Sequence, residues 1–386
     1  MRFVAFHLMP WPHLPDDFED VEDSAWVTYP NSNFDPHRGQ ELYERYLDEL
    51  AACEDLGFDA IAVNEHHQSA YGLMPSPNLV AMALVNRTKR VKIAILGNAI
   101  PLRDHPMRVV EEVSMLDVMS GGRIICGIVR GLGAEYHSFS LNPVYSQERF
   151  QEAHDLMIAA WTRPGPFEWE GEHYQLKYVN PWPRPIQDPH PPIWLPTQGS
   201  TSTVRWAAER QYTLFQTFSP LAALVKSTAQ YVDFTREFGH EPDPDNLGWA
   251  APIYVGKDDE TALREFKPHV EYLYHKLRRR PWQATVPAGY VPRASALGVF
   301  ERRKGVGTDR PTAEELLARG EIIVGGPESV LRQLRESIDS TGIGTLATMI
   351  QTGTMNHDLT RASVERLAEY VIPKLTDYLP DVPAAS

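Results

Sequence analysis

Short runs that are apolar on both faces recur along the chain, separated by helix-periodic stretches. This alternation constrains the fold more than any other feature. Eight runs read as strands: 2–8, 59–64, 91–96, 124–130, 193–198, 213–218, 250–255 and 346–351. Helical periodicity falls at 40–56, 77–88, 107–119, 147–162, 201–210, 221–238, 258–277, 327–340 and 361–376. A strand without a polar face must be covered on both sides, which is the setting of a parallel sheet wrapped in helices. Eight such repeats predict a closed (β/α)8 TIM barrel of the α/β class, with an open doubly wound sheet as the competitor. Start and stop signals agree with the pattern. Pro327 and Glu328 open one helix, and Gly57 follows the end of another.

The 386 residues are expected to form one barrel domain over 1–386, with insertions at about 9–39, 163–192 and 278–322. The first insertion carries six acids in DDFEDVED (16–23), and the last carries RRRPW and ERRK and reads as a mobile lid loop. Opposed charge on the two is expected to help close one over the other. Prolines cluster in the same places: of 32 in the chain, five lie in 1–40 and seven in 181–196. Since proline fixes φ and removes a donor, these clusters predict stiff loops framing a pocket rather than linkers.

Charge and cysteine usage exclude several function classes. The net charge is −14, from 37 Lys and Arg against 51 Asp and Glu, which argues against a nucleic-acid-coating surface. Two cysteines, Cys53 and Cys126, cannot staple a chain of this length, so a reduced cytoplasmic setting is expected. No run reaches 18 apolar residues and the start lacks a cleavage-site pattern, so neither membrane spanning nor secretion is expected.

In a barrel of this kind chemistry sits at the carboxyl ends of the strands. Those ends are His7; Asn64, Glu65, His66 and His67; Gly97 and Asn98; Arg130 and Gly131; and Gln198, Gly199 and Ser200. The Asn-Glu-His-His quartet is the densest ionisable group. One histidine there suits proton exchange or hydrogen bonding to an anion. The structural alternative is a histidine paired with Glu65. A metal site is not expected, because adjacent histidines in extended chain point to opposite sides. Arg130, Gly131 and the GSTST run at 199–203 suit an anion such as phosphate. The alternatives are an Arg130–Glu135 ion pair and a helix cap at Ser200. Gly131-Leu132-Gly133 is not a dinucleotide fingerprint, since Tyr136 replaces the third glycine, and no phosphate-cradling Walker motif occurs.

Four segments in order, GFDAIAVNEHH (57–67), HPMRVVEEVSMLDVMSGGRIICGIVRGLGAEY (105–136), PPIWLPTQGSTSTVRWAAER (191–210) and VGGPESVLRQLRESIDSTGI (324–343), resemble the bacterial luciferase-like family of flavin-dependent monooxygenases. The resemblance implies a two-component enzyme. Reduced FMN would come from a separate NAD(P)H:flavin reductase, and O2 would react through a flavin C4a-(hydro)peroxide to oxygenate an apolar or aromatic organic substrate. It implies His66 as the catalytic group, Arg130, Gly131 and Leu132 with Gly199, Ser200 and Thr203 around the flavin phosphate, and Gly97 and Asn98 under the ring. It also implies a homodimer. Val129 stands where the family's luciferases carry Cys, which weakens the case for aldehyde-luciferase activity, and Gly199 stands where they carry Glu, which shifts phosphate binding toward backbone contacts. Two other functions fit the same fold: F420-dependent hydride transfer, and a non-catalytic flavin-binding subunit. Phe18, Trp26, Tyr29, Phe34, Tyr71 and Trp282 lie in the loops expected to meet substrate.

Overall fold

A computed structural model describes residues 1–291 and 310–378. The ERRK part of the last insertion, and with it half of the expected charge latch, lies outside the described residues.

The strands are β1 (Arg2–Phe6), β2 (Ala60–Val63), β3 (Lys92–Ala99), β4 (Ile124–Val129), β5 (Phe167–Glu170), β6 (Gln175–Val179), β7 (Ile193–Thr197), β8 (Thr213–Thr217), β9 (Leu247–Val255), β10 (Ile323–Gly325) and β11 (Thr345–Met349). Eight of them close in parallel, in the order β1-β2-β3-β4-β7-β8-β9-β11 and back to β1, which is a (β/α)8 barrel. Strand β10 adds in parallel to the end of β9. Every residue of β2, β9 and β11 is buried, as the runs without a polar face require. Helices cover the outside. Trp161, Trp249, Tyr46, Phe3 and Phe215 are among the largest side chains lost from water.

Local chemistry sets the boundaries. The helix Pro36–Ala52 starts four residues before the expected 40, because Asp35 accepts hydrogen bonds from the His37 and Arg38 N–H groups and Pro36 takes the first position. Likewise the helix expected from 361 starts at His357, capped by the Asn356 side chain. The α-helix Asp259–Tyr272 is shorter than its periodicity and passes into a π-turn at Leu273–Leu277. Between β3 and β4 the register shifts between Ile95 and Asn98. There a Cβ on Gly97 would stand 2.7 Å from the Gly127 carbonyl carbon, so glycine is what lets the two backbones approach.

The insertions are held by carboxylates, one half-buried and one buried, rather than by apolar packing alone. The β5–β6 hairpin is pinned by Glu152, which accepts from the His173 and Tyr174 N–H groups. The proline-rich return is pinned by Asp117, which accepts from Ile186 N–H, Gln187 N–H and the Gln187 side chain. The acidic segment does meet the basic one, but mostly through backbone oxygens. Arg279 donates to the Glu19 carbonyl at 2.6 Å, and Lys276 donates to the Pro15 and Asp16 carbonyls. Among the described residues Glu19–Arg310, at 3.1 Å, is the ion pair that joins them. No described helix is long and apolar enough to cross a membrane.

Candidate active site

At the carboxyl ends of the strands the described residues enclose a cavity of about 220 Å³. Phe6, Leu8, Leu96 and Leu195 give it an apolar wall. Asn64, Glu65, His66, Arg130, Glu135, Arg278 and Arg280 supply the polar and charged groups.

His66 follows β2 and opens into this cavity. Its Nδ1 lies 3.0 Å from Glu135 Oε1. The other oxygen of Glu135 accepts from the Leu132 N–H at 2.7 Å, so the carboxylate is fixed on both sides. An ionised carboxylate can only accept, so Nδ1 carries the proton. Nε2 makes no hydrogen bond among the described residues. Trp26 and Tyr71 stack on one another at 4.4 Å, and each meets the His66 ring edge-on at 4.9 Å. Burial pushes the Tyr71 phenol up to about 12, so it stays neutral.

The neighbouring His67 points away, as alternation requires. It pairs with Glu65 at 2.7 Å, and Glu65 in turn accepts from Arg103 at 2.7 Å. The structural pairing with Glu65 therefore exists, but it belongs to His67 and not to His66. No group of three or more described His, Cys, Asp or Glu residues is placed to hold a metal.

Arg130 does not pair with Glu135. Its guanidinium lies 4.1 Å over the Tyr290 ring, and Nη1 donates to the Tyr290 carbonyl at 3.1 Å. Tyr290 O–H donates to the Gly131 carbonyl, and Tyr136 O–H donates to that of Arg130. This turn is thus built by two tyrosines, one of them 159 residues away in sequence.

Gly97, Arg130, Gly131, Leu132, Ser200 and Thr203 all line the cavity with His66. Asn98 and Gly199 do not. Asn98 is fully buried, and neither side-chain polar atom has a partner among the described residues. Gly199, at φ +80°, makes the turn after β7, and its N–H is already given to Thr197 Oγ1 at 3.1 Å. The Leu132 N–H is likewise occupied by Glu135. Ser200 caps the helix Thr201–Glu209 by accepting from the Thr203 N–H, and it still reaches the cavity, so cap and lining coexist.

His7, the strand-one candidate, is excluded from the site. It is fully buried beneath the helix Pro36–Ala52, with Nε2 3.2 Å from Glu49 Oε2. Glu135, Arg278, Arg280 and Tyr290 escaped sequence reasoning as site residues. In the sequence Glu135 offers itself only as a partner of Arg130, and both arginines lie in the segment that reads as a lid.

The residues present fit a flavin mononucleotide. One guanidinium, two hydroxyls and a helix start form the donor set a phosphate needs. The apolar wall suits a planar ring. Asn64 lines the same space, and its Oδ1 is buried without a partner among the described residues.

The profile of the luciferase-like monooxygenases matches residues 24–345. An uncharacterized protein, y4wF of Sinorhizobium fredii, is 39% identical over 44% of this chain and 50% of its own length, so that match spans about half of the relative. An alkanal monooxygenase alpha chain of Photobacterium leiognathi is 24% identical over 88% of this chain and 95% of that one. Among solved structures, the oxygenating constituent of 3,6-diketocamphane monooxygenase from Pseudomonas putida, in complex with FMN, superposes with a TM-score of 0.71. It is 20% identical and covers 99% of this chain and 100% of that chain, a likeness of fold. The match covers most of the chain and includes the strand ends that build the cavity: this protein belongs to the luciferase-like monooxygenase family.

Proposed function

We propose that this chain is the oxygenase component of a two-component, FMN-dependent monooxygenase acting on an organic substrate. The observation that carries this reading is a single cavity shared by a phosphate-type donor set (Arg130, Ser200, Thr203) and a histidine held by a carboxylate with its Nε2 free. The FMN complex of a protein of the same fold supports the choice of flavin. That protein is itself an oxygenating constituent, which supports reduced FMN arriving from a separate reductase. Bound reduced FMN would supply the electrons with which O2 is split, one oxygen atom entering the substrate and the other leaving as water.

The chain's own residues bind, orient and exclude water. Arg130, Ser200 and Thr203 hold the phosphate. Gly131 and Gly97 would let a flavin approach the backbone, Leu132 and Gly199 would shape the turns after β4 and β7, and Asn98 would support the end of β3. His66 accepts or returns a proton at Nε2, and Glu135 fixes its tautomer. Trp26 and Tyr71 keep water from that proton. A homodimer fits the exposed apolar side chains Leu79, Met115 and Met119 on the neighbouring helices Pro77–Arg87 and Met107–Ser120. A cytoplasmic setting fits the two free, buried cysteines.

The test is anaerobic titration with reduced FMN and with reduced F420. FMN should bind, and Arg130→Met should weaken it roughly 10–100-fold, the worth of a charge-assisted hydrogen bond. Tight binding of F420 with none of FMN would overturn the reading in favour of hydride transfer.

A further inference from the structure

The cavity holds more positive charge than a flavin phosphate requires. Three arginines line it in a chain whose net charge is −14. Its two glutamates are already engaged, Glu65 by Arg103 and His67, and Glu135 by His66 and the Leu132 N–H. Arg278 stands out among the three. Its guanidinium lies 4.6 Å over Phe218 and 4.3 Å over Tyr274, and among the described residues it makes no ion pair and no side-chain hydrogen bond. A half-buried guanidinium between two aromatic faces retains five donors for a ligand. Arg280 stacks at 4.6 Å on Trp26, continuing the same wall.

The position of this charge separates it from the phosphate end. Arg280 lies over Trp26, which packs against Tyr71 and His66, and Arg278 stands two residues before it in the same lining. Arg130 instead rests on Tyr290 beside the β4 turn. The cationic wall therefore belongs to the face of the cavity where the histidine works, and its floor is aromatic.

Resting on the oxygenase reading above, we propose that the organic substrate is a planar aromatic acid, its anionic group gripped by Arg278 and its ring packed against the edges of Trp26 and Tyr71 that line the cavity. The guanidinium fork matches a carboxylate in two parallel hydrogen bonds. The ring meets the edges of the stacked pair beside His66 in an edge-to-face contact. This anchors the reacting carbon at a fixed distance from the flavin, and neutral analogues of the same shape lose the anchor.

The experiment titrates benzoate, 1-naphthoate and indole-3-acetate, each against its primary amide, into the full chain with and without FMN, followed by calorimetry. At least one acid should bind roughly 10-fold or more tightly than its amide, the worth of a charge-assisted hydrogen bond. Arg278→Met should erase that preference, Arg278→Lys should keep part of it, and FMN affinity should change less than about 2-fold in both. Equal binding of acid and amide across the panel would overturn the proposal, as would a preference that survives Arg278→Met. So would an Arg278→Met loss of FMN affinity equal to that of Arg130→Met, since Arg278 would then hold the flavin phosphate. Acid preference in a chain that takes no FMN would uphold the anion site and sink the flavin reading alone.

Discussion

Two histidine–glutamate pairs stand at neighbouring strand ends of this barrel, and they do opposite things. His7, after β1, is 0% exposed, and both ring nitrogens are committed: Nδ1 accepts from the Met9 N–H at 2.8 Å, and Nε2 donates to Glu49. Glu49 also takes Arg45 at 2.8 Å and His357 at 3.1 Å, which completes a sealed knot between barrel and helices. His66, after β2, keeps 14% of its side chain exposed, commits only Nδ1, and turns Nε2 to the cavity. The same residue types at the same topological position yield a structural clamp in one case and, in the other, a cavity-lining ring with one nitrogen uncommitted among the described residues. The difference is the number of partners, not the identity of the pair.

Substitutions in the two pairs should therefore separate cleanly. His66→Asn should lower oxygenated product per flavin oxidised by about 10²–10⁴-fold, the usual worth of general acid–base catalysis, with hydrogen peroxide rising in its place. Its urea midpoint should stay close to wild type. Glu49→Ala should do the reverse. It leaves the buried His7 Nε2–H without an acceptor and removes a partner of Arg45 and His357, which costs about 1–3 kcal/mol in urea denaturation. FMN affinity in whatever fraction remains folded should be unchanged. A large stability loss in His66→Asn, or none in Glu49→Ala, would erase the contrast.

A smaller effect sharpens it. A glutamine at 135 has one acceptor and one donor end. In Glu135→Gln the oxygen should keep the Leu132 N–H and the amide should donate to His66 Nδ1, moving the ring proton to Nε2. Product yield should fall roughly 10–100-fold, the usual worth of an orienting partner. Nitrogen-15 chemical shifts of the histidine should report the tautomer change, which a merely structural role for Glu135 would not produce.

The smallest effect is on pH dependence. Burial lowers the His7 pKa below 6.5, and the Met9 N–H aimed at Nδ1 keeps the ring neutral. Burial would raise Glu49, but the hydrogen bond from His7 and the nearby Arg45 charge outweigh it and hold the carboxyl below its usual value. With the His7 folded pKa below the unfolded one, the unfolded chain binds the proton first, so stability falls as pH drops below about 6.5 and levels off beneath the lowered folded value. His154 and His269, both lowered mainly by burial, slope the same way. His7→Gln should flatten part of the fall in melting temperature between pH 7.5 and 5.5. An unchanged slope would show that His7 does not titrate differently on unfolding.

The barrel was legible in the sequence because what builds it is local. A run such as IICGIVR has no polar face to give to water, and cap residues such as Ser200 lie beside the helices they start. The Asn64–His67 quartet and Arg130 were legible as cavity candidates through the strand-end rule combined with residue type, and the family resemblance singled out His66. Their partners were not, because tertiary contact supplies them: Glu135 comes from 69 residues downstream of His66, Tyr290 from 160 beyond Arg130, and His357 from 308 beyond Glu49. The same distance in sequence hid the contrast between His7 and His66, which only the placement of the helix Pro36–Ala52 reveals. Arg278 was visible as a basic residue but not as a wall of the site, since the helix Asp259–Tyr272 and its π-turn had first to carry it there.

The most direct test of the central claim is an oxygen pulse on the anaerobic complex with reduced FMN, followed by flavin absorbance on a stopped-flow instrument. If His66 and the closed cavity protect and steer the reaction of reduced flavin with O2, the return of oxidised FMN should be far slower than for free reduced FMN, and His66→Asn should restore the fast rate. Reoxidation by the wild-type protein at the rate of free flavin, with hydrogen peroxide formed in equal amount, would contradict the account.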